Sequence, residues 1–195
     1  MIKADQADQL IKSKLTPARY KHSCNVADVA KELARQFKVN EEFAYIAGLL
    51  HDYAKGLSGD VLLKIAVENR LIDDDIEYLI PDILHAKVGA FLLSQENLVK
   101  EPEILNAIAF HTLGDENMSD LDKIIFLADM IEPGRDYPGQ ERLQCLAGRN
   151  LDEAMLFGLE STIKYCIEKG RLLHPQTIAV RNMFLKINSG ILGGC

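Results

Sequence analysis

Two apolar runs in this 195-residue chain carry charge where a plain hydrophobic core would have none. Ala44-Tyr45-Ile46-Ala47-Gly48-Leu49-Leu50 runs straight into His51-Asp52, and Ile124-Ile125-Phe126-Leu127-Ala128 leads into Asp129 before Met130-Ile131. An ionised carboxylate in such company is costly unless it is paired, protonated or bound to a metal. An arginine or lysine partner would account for Asp129 alone. The histidines shift the balance. There are five, His22, His51, His85, His111 and His174, and four lie on helical segments or at their ends, within or beside an apolar stripe. One histidine in that setting usually reads as a satisfied core residue. Taken with Asp52 and Asp129, neutral imidazoles and carboxylates make the donor set for iron(II), manganese, nickel or zinc with positions left open for water and substrate.

Cations stand beside these residues. Arg19 lies three residues before His22, on the same helix face one turn away. Lys55 follows Asp52 by three, and Arg135 follows the Asp129 segment in a Pro/Gly loop that can fold over a site. Ordinary solvated surface explains most single cations. Next to a metal-type cluster they point to an anionic substrate, most simply phosphate.

Helices must position all of this. Thr16-Pro17 reads as an N-cap with proline at the first helical position, and Val26, Val29, Ala30, Leu33 and Phe37 form one stripe behind it. Leu151, Ala154, Met155, Gly158, Leu159, Thr162, Ile163 and Cys166 mark a long helix ending near Gly170, and another begins after His174-Pro175 and runs through Leu185. Further helices are predicted around 42–50, 60–69, 86–96, 103–112 and 121–131. Period-two alternation is nearly absent. The fold class is all-α: one domain over 16–187, preceded by an N-terminal segment 1–15 and followed by a flexible tail 188–195.

Composition fits this reading. The hydrophobic share of 48% and charged share of 26% are those of an ordinary globular domain. No apolar run approaches the roughly 18–20 residues a bilayer requires. A net charge of −7 and a pI near 5.3 argue against duplex nucleic acid as the main partner. Cys24, Cys145, Cys166 and Cys195 show no C-x-x-C spacing, and the first residues lack a signal-peptide core. The expected location is the reducing cytoplasm, with no membrane association.

The series His22, His51-Asp52, His85, His111, Asp129 on a helical chain resembles the HD superfamily of metal-dependent phosphohydrolases. More specific are Gly48-Leu49-Leu50-His51-Asp52-Tyr53-Ala54-Lys55, His111-Thr112, Ala128-Asp129-Met130-Ile131-Glu132-Pro133-Gly134-Arg135, and His174-Pro175-Gln176-Thr177 followed by Arg181-Asn182. These are similar to the YqeK-type branch, the symmetrical bis(5'-nucleosyl)-tetraphosphatases, from about Thr16 to Leu185.

The resemblance implies a helical HD domain that hydrolyses diadenosine tetraphosphate to two ADP with a metal-activated water. It implies iron held by His22, His51, Asp52 and Asp129, with manganese, nickel or zinc as substitutes. It implies catalytic roles for Asp52, His85 and His111, and substrate contacts at Arg19, Lys55, His85, His111, Thr112 and Arg135, with Thr177, Arg181 and Asn182 approaching the nucleotide. One ion per chain is the expectation. His85 and His111 either bind phosphate and supply the leaving-group proton or complete a second metal site, with Asp52 as the bridge. A homodimer is compatible with all of this. The rival readings are a nucleoside 5'-phosphatase or cyclic-nucleotide phosphodiesterase on the same scaffold, or a non-catalytic nucleotide-binding or scaffold protein. The Gly-Tyr-Pro segment of the HD-GYP phosphodiesterases is not matched, since Tyr137-Pro138 lies beyond Asp129.

Overall fold

Amphipathic stripes of this kind leave each helix with one face to bury, and the chain buries them on one another. A computed structural model describes residues 2–189, and among them are ten α-helices and no strand. In chain order these are α1 (Ala4–Lys14), α2 (Pro17–Phe37), α3 (Glu41–Leu50), α4 (Gly59–Glu68), α5 (His85–Gln95), α6 (Pro102–Phe110), α7 (Asp120–Ile131), α8 (Gln140–Ala147), α9 (Leu151–Glu168) and α10 (Pro175–Asn188). Short 3-10 turns at Asp75–Tyr78 and Pro81–Leu84 lead into α5. No helix among the described residues is long and apolar enough to cross a membrane.

Capping residues set the boundaries. Thr16 accepts from the Arg19 amide ahead of Pro17, and Asn40 and Asn150 each accept from two amides at the starts of α3 and α9. Ser119 and Asp122 bond reciprocally as a capping box on α7. Every segment predicted to be helical is helical. Two helices were not predicted. The stripe of α1 is sparse, yet its Ala7 and Ile11 are fully buried in the main core, so residues 4–14 contribute to the domain's packing. At eight residues, α8 is too short for periodicity to show. The tail placed at 188–195 lies, from 190 onward, outside the described residues, and Asn188 is the last residue of α10.

The apolar helix α7 occupies the middle, packed against α2, α3, α6, α8 and α9. Its Ile124, Ile125, Leu127 and Ala128 meet Val26, Ala27 and Ala30 of α2, Ile104, Ala107 and Ile108 of α6, and Ala154, Met155 and Leu159 of α9 in one continuous core. A smaller core of Ala54, Leu62, Ala66, Leu84 and Val88 closes α4 onto α5.

The α2–α3 contact is the tightest point. A Cβ built on Gly48 would lie 2.6 Å from the Ala27 Cα and 2.9 Å from the Ala27 nitrogen, so the two backbones touch there. Neither atom can step aside as a side chain would. Gly48→Ala is expected to destabilise the fold by about 2–3 kcal/mol, at the upper end for overpacking. Gly56→Ala, whose new methyl meets nothing nearer than 3.9 Å, should stay within about 0.5 kcal/mol of the parent. Urea denaturation of both variants reads the difference, and equal midpoints would refute the backbone contact.

Candidate metal centre

Six side chains converge from five places in the fold: His22 on α2, His51-Asp52 just past α3, His85 opening α5, His111 just past α6, and Asp129 in the last turn of α7. The first group gathers around one carboxylate oxygen from each aspartate. His22 Nε2 lies 3.1 Å from Asp129 Oδ1 and 3.8 Å from Asp52 Oδ2, and His51 Nε2 lies 3.4 Å from Asp52 Oδ2. The other oxygen of Asp52 faces a second pair, with His85 Nε2 at 3.2 Å and His111 Nε2 at 3.9 Å from Oδ1. Asp52, 2% exposed, thus stands between two imidazole pairs.

Each ring is held from behind. His51 Nδ1 donates to the Gly48 carbonyl at 2.7 Å, His85 Nδ1 to Asp82 at 2.5 Å and His111 Nδ1 to Ile108 at 2.7 Å. In all three the acceptor is three residues back; for His51 and His111 it lies on a helix that is ending and has a carbonyl to spare, and for His85 in the 3-10 turn that leads into α5. His22 Nδ1 donates instead to Glu132 Oε1 at 3.1 Å. With the proton on Nδ1, every Nε2 presents a bare lone pair inward. Two such atoms stand 3.2 Å apart in His22 and His51, and two stand 3.1 Å apart in His85 and His111. Facing lone pairs with no proton to share repel, and a cation between them removes the conflict. The donor set therefore fits a divalent metal ion.

The electrostatics agree. Burial alone would raise Asp52, but His51, His85 and His111 hold its carboxyl far below the usual carboxylate range. Asp129 is held down in the same way, against burial, by His22, His51 and Arg135. His51 is drawn upward despite its burial because Asp52 and Asp129 lie beside it. His111 is pushed down to about 3 by burial and by the neighbouring His51 and His85. Both carboxylates are held ionised, so the first group is a place that favours positive charge.

Cations close the rim. Arg19 Nη1 donates to Asp52 Oδ2 at 2.8 Å, Arg135 pairs with Asp129 Oδ1, and Arg135 Nε donates to the Asp129 carbonyl at 2.8 Å. The ion pair that would explain Asp129 and its place among the histidines are both present. Lys55 Nζ lies 3.3 Å from His85 Nδ1, and burial lowers its pKa.

Other expected residues sit apart. Among the described residues no hydrogen bond joins Thr112, Thr177, Arg181 or Asn182 to the cluster. Thr112 follows His111 directly. Gln176 Nε2 donates to the Gly114 carbonyl at 2.5 Å, which holds the start of α10, with buried Thr177, against the same turn. Arg181 bonds Glu160 on α9 and the side chain of Asn182. His174, the fifth histidine, caps α10 through Nδ1 and lies 3.4 Å from the buried Glu77. Two residues of the site had not been singled out, Glu132 and Asn25. Asn25 Nδ2 donates to Glu132 Oε2 at 2.7 Å. The available signals were the spacing of Asn25, one turn after His22, and a carboxylate directly after the apolar run of α7.

Residues 19–134 match the family described as HD domain. The chain is 37% identical over 180 residues to a Halalkalibacterium halodurans protein named bis(5'-nucleosyl)-tetraphosphatase, symmetrical, covering 92% of this chain and 96% of that one. A Bacillus subtilis protein of the same name is 33% identical over 178 residues, 91% of this chain and 95% of its own. A Clostridium acetobutylicum crystal structure, described as a predicted HD superfamily hydrolase involved in NAD metabolism, is similar with a TM-score of 0.90 at 38% identity, covering 95% of this chain and 98% of that one.

His51→Ala removes the fully buried ring of the first group, which lies 3.4 Å from Asp52 and 4.0 Å from Asp129. Metal content by elemental analysis after oxygen-free purification should fall below a tenth of the parent, while the far-UV circular dichroism stays helical, because the apolar core rather than an ion holds the helices together. Full metal content in this variant would refute the ligand assignment.

Proposed function

This chain belongs to the HD domain family, and on that premise we propose that it is a hydrolase of dinucleoside tetraphosphates, splitting diadenosine tetraphosphate into two molecules of ADP. The reading is supported by relatives 37% and 33% identical over nearly the whole chain that carry that name. The observation that carries the chemistry is the convergence of bare imidazole nitrogens on the two oxygens of Asp52.

We assign iron to His22, His51, Asp52 and Asp129, with manganese, nickel or zinc as substitutes. An ion there would supply a Lewis acid that acidifies water and draws charge from a phosphoryl oxygen. The protein's own groups do the rest. Arg19 uses one N–H on Asp52, Arg135 two on Asp129, and both side chains are more than a third exposed, so each keeps donors for phosphate oxygens. Lys55 and His85 stand side by side where a phosphate would meet the cluster. His111, neutral and buried, presents its bare Nε2 to the reacting centre, where it would receive the proton the attacking water gives up and pass it to the bridging oxygen. Water adds to a central phosphorus, the bond from that phosphorus to the middle bridging oxygen breaks, and ADP leaves on both sides. Developing charge on three phosphoryl oxygens is what the cations Arg19, Lys55 and Arg135 answer. Thr112, Thr177, Arg181 and Asn182 are assigned to the nucleoside end of the substrate, and the enzyme is assigned to the cytoplasm, in keeping with its scattered cysteines.

With diadenosine tetraphosphate, chromatography of early time points should show ADP as the sole nucleotide product. Equal amounts of ATP and AMP would refute symmetrical cleavage.

One observation favours a second reading for His85 and His111. Their Nε2 atoms stand 3.1 Å apart on Asp52 Oδ1, as a second pair of ligands would. In the first reading His111→Ala keeps one iron per chain and loses turnover by roughly a hundredfold to ten-thousandfold, the worth of a positioned proton carrier. A fall from two ions to one per chain would move both histidines to a second metal site.

A further inference from the structure

Three of the four site histidines are oriented by backbone carbonyls three residues back, two at the ends of α3 and α6 and one in the 3-10 turn that leads into α5. His22 has no such resource. It lies inside the 21-residue α2, where carbonyls are engaged in the helix itself. Its Nδ1 is held by a side chain, Glu132, which is 3% exposed.

Both oxygens of that carboxylate are engaged, and Arg135 Nε lies 3.9 Å from Oε1. Oε1 accepts from His22 Nδ1 at 3.1 Å. Oε2 accepts from Asn25 Nδ2 at 2.7 Å and from the Gly134 amide at 2.6 Å. A backbone N–H is a donor that cannot turn round, so the end of the side chain facing Gly134 must be an acceptor. A carboxylate is an acceptor at its other end as well, so His22 must donate through Nδ1 and keep its Nε2 lone pair free. The turn is shaped around this group. A Cβ on the exposed Gly134 would fall 2.8 and 2.9 Å from the two Glu132 oxygens, and the next residue, Arg135, pairs with Asp129.

We propose that Glu132 is a positioning residue that fixes the tautomer and direction of His22, and that the turn Glu132-Pro133-Gly134-Arg135 is one device holding two ligands, His22 and Asp129, at once. The proposal rests on the reading of His22 as a metal ligand. It assigns unequal consequences to isosteric changes. Glutamine at 132 keeps its oxygen toward the Gly134 amide and so turns its NH2 toward His22. The ring then accepts at Nδ1 and carries its proton on Nε2, the atom a metal needs.

The test uses the full chain, stripped of metal and titrated with iron(II) without oxygen against a chromophoric chelator. Glu132→Gln should weaken iron binding by roughly ten- to a hundredfold, the usual worth of an outer partner of a ligand histidine. In ¹⁵N spectra of the stripped protein, the His22 proton should move from Nδ1 to Nε2. A merely structural role would move neither the tautomer nor the affinity at an unchanged melting temperature. Gly134→Ala keeps the charge but crowds the carboxylate, and should weaken binding at least tenfold even if the glutamine variant fails to fold. His22→Ala separates the two levels of the argument: iron binding retained there refutes His22 as a ligand. Binding lost there but kept within twofold in both Glu132→Gln and Gly134→Ala overturns the role of Glu132.

Discussion

A carboxylate buried to 2% exposure is the constraint around which this molecule is arranged. Leaving Asp52 charged and unpaired in the interior would cost more than most proteins have in net stability. Arg19 answers part of that charge, and four histidines from elements far apart in the chain surround it, where a cation would complete the pairing. The path of the helices is legible as the means of delivering them: α2 brings Arg19 and His22, the end of α3 His51, the start of α5 His85 and the end of α6 His111. The central position of α7 does the same for Asp129.

The helix ends carry much of this precision. Where α3 and α6 stop, a carbonyl left without its helical partner receives a histidine Nδ1 from three residues onward, so terminating a helix and aiming a ring into the cluster are one event. Gly48 takes part twice. Its carbonyl holds His51, and its lack of a side chain lets α2 approach to backbone contact, which brings His22 within 3.2 Å of His51.

The sequence made the helical class and the six converging residues readable because both leave marks in one dimension: a 3.6-residue period, and charged residues in greasy company. Short or sparse stripes left no such mark, so α1 and α8 were missed. Glu132 was missed for another reason. Its role depends on a hydrogen bond across 110 positions to His22, and nothing in a Glu-Pro-Gly-Arg run shows which way a carboxylate points. His174 shares its residue type with the site histidines but sits at a helix start, where its ring serves as a cap. The bond of Arg181 to Glu160 was equally invisible, being a contact between α10 and α9.

The backing of each ring by its own hydrogen bond has a consequence for how the centre chooses among ions. Donors fixed before anything binds lose little freedom when it does, and they cannot spread or contract to follow a guest. Intrinsic affinities of nitrogen and oxygen donors rise along the first-row metals to copper whatever the protein does. A stiff cage separates neighbours in that series by radius and preferred geometry instead. For an ion held by the site as proposed, selectivity would be a mechanical property of three carbonyls and the Glu132 carboxylate, none of which would touch the metal.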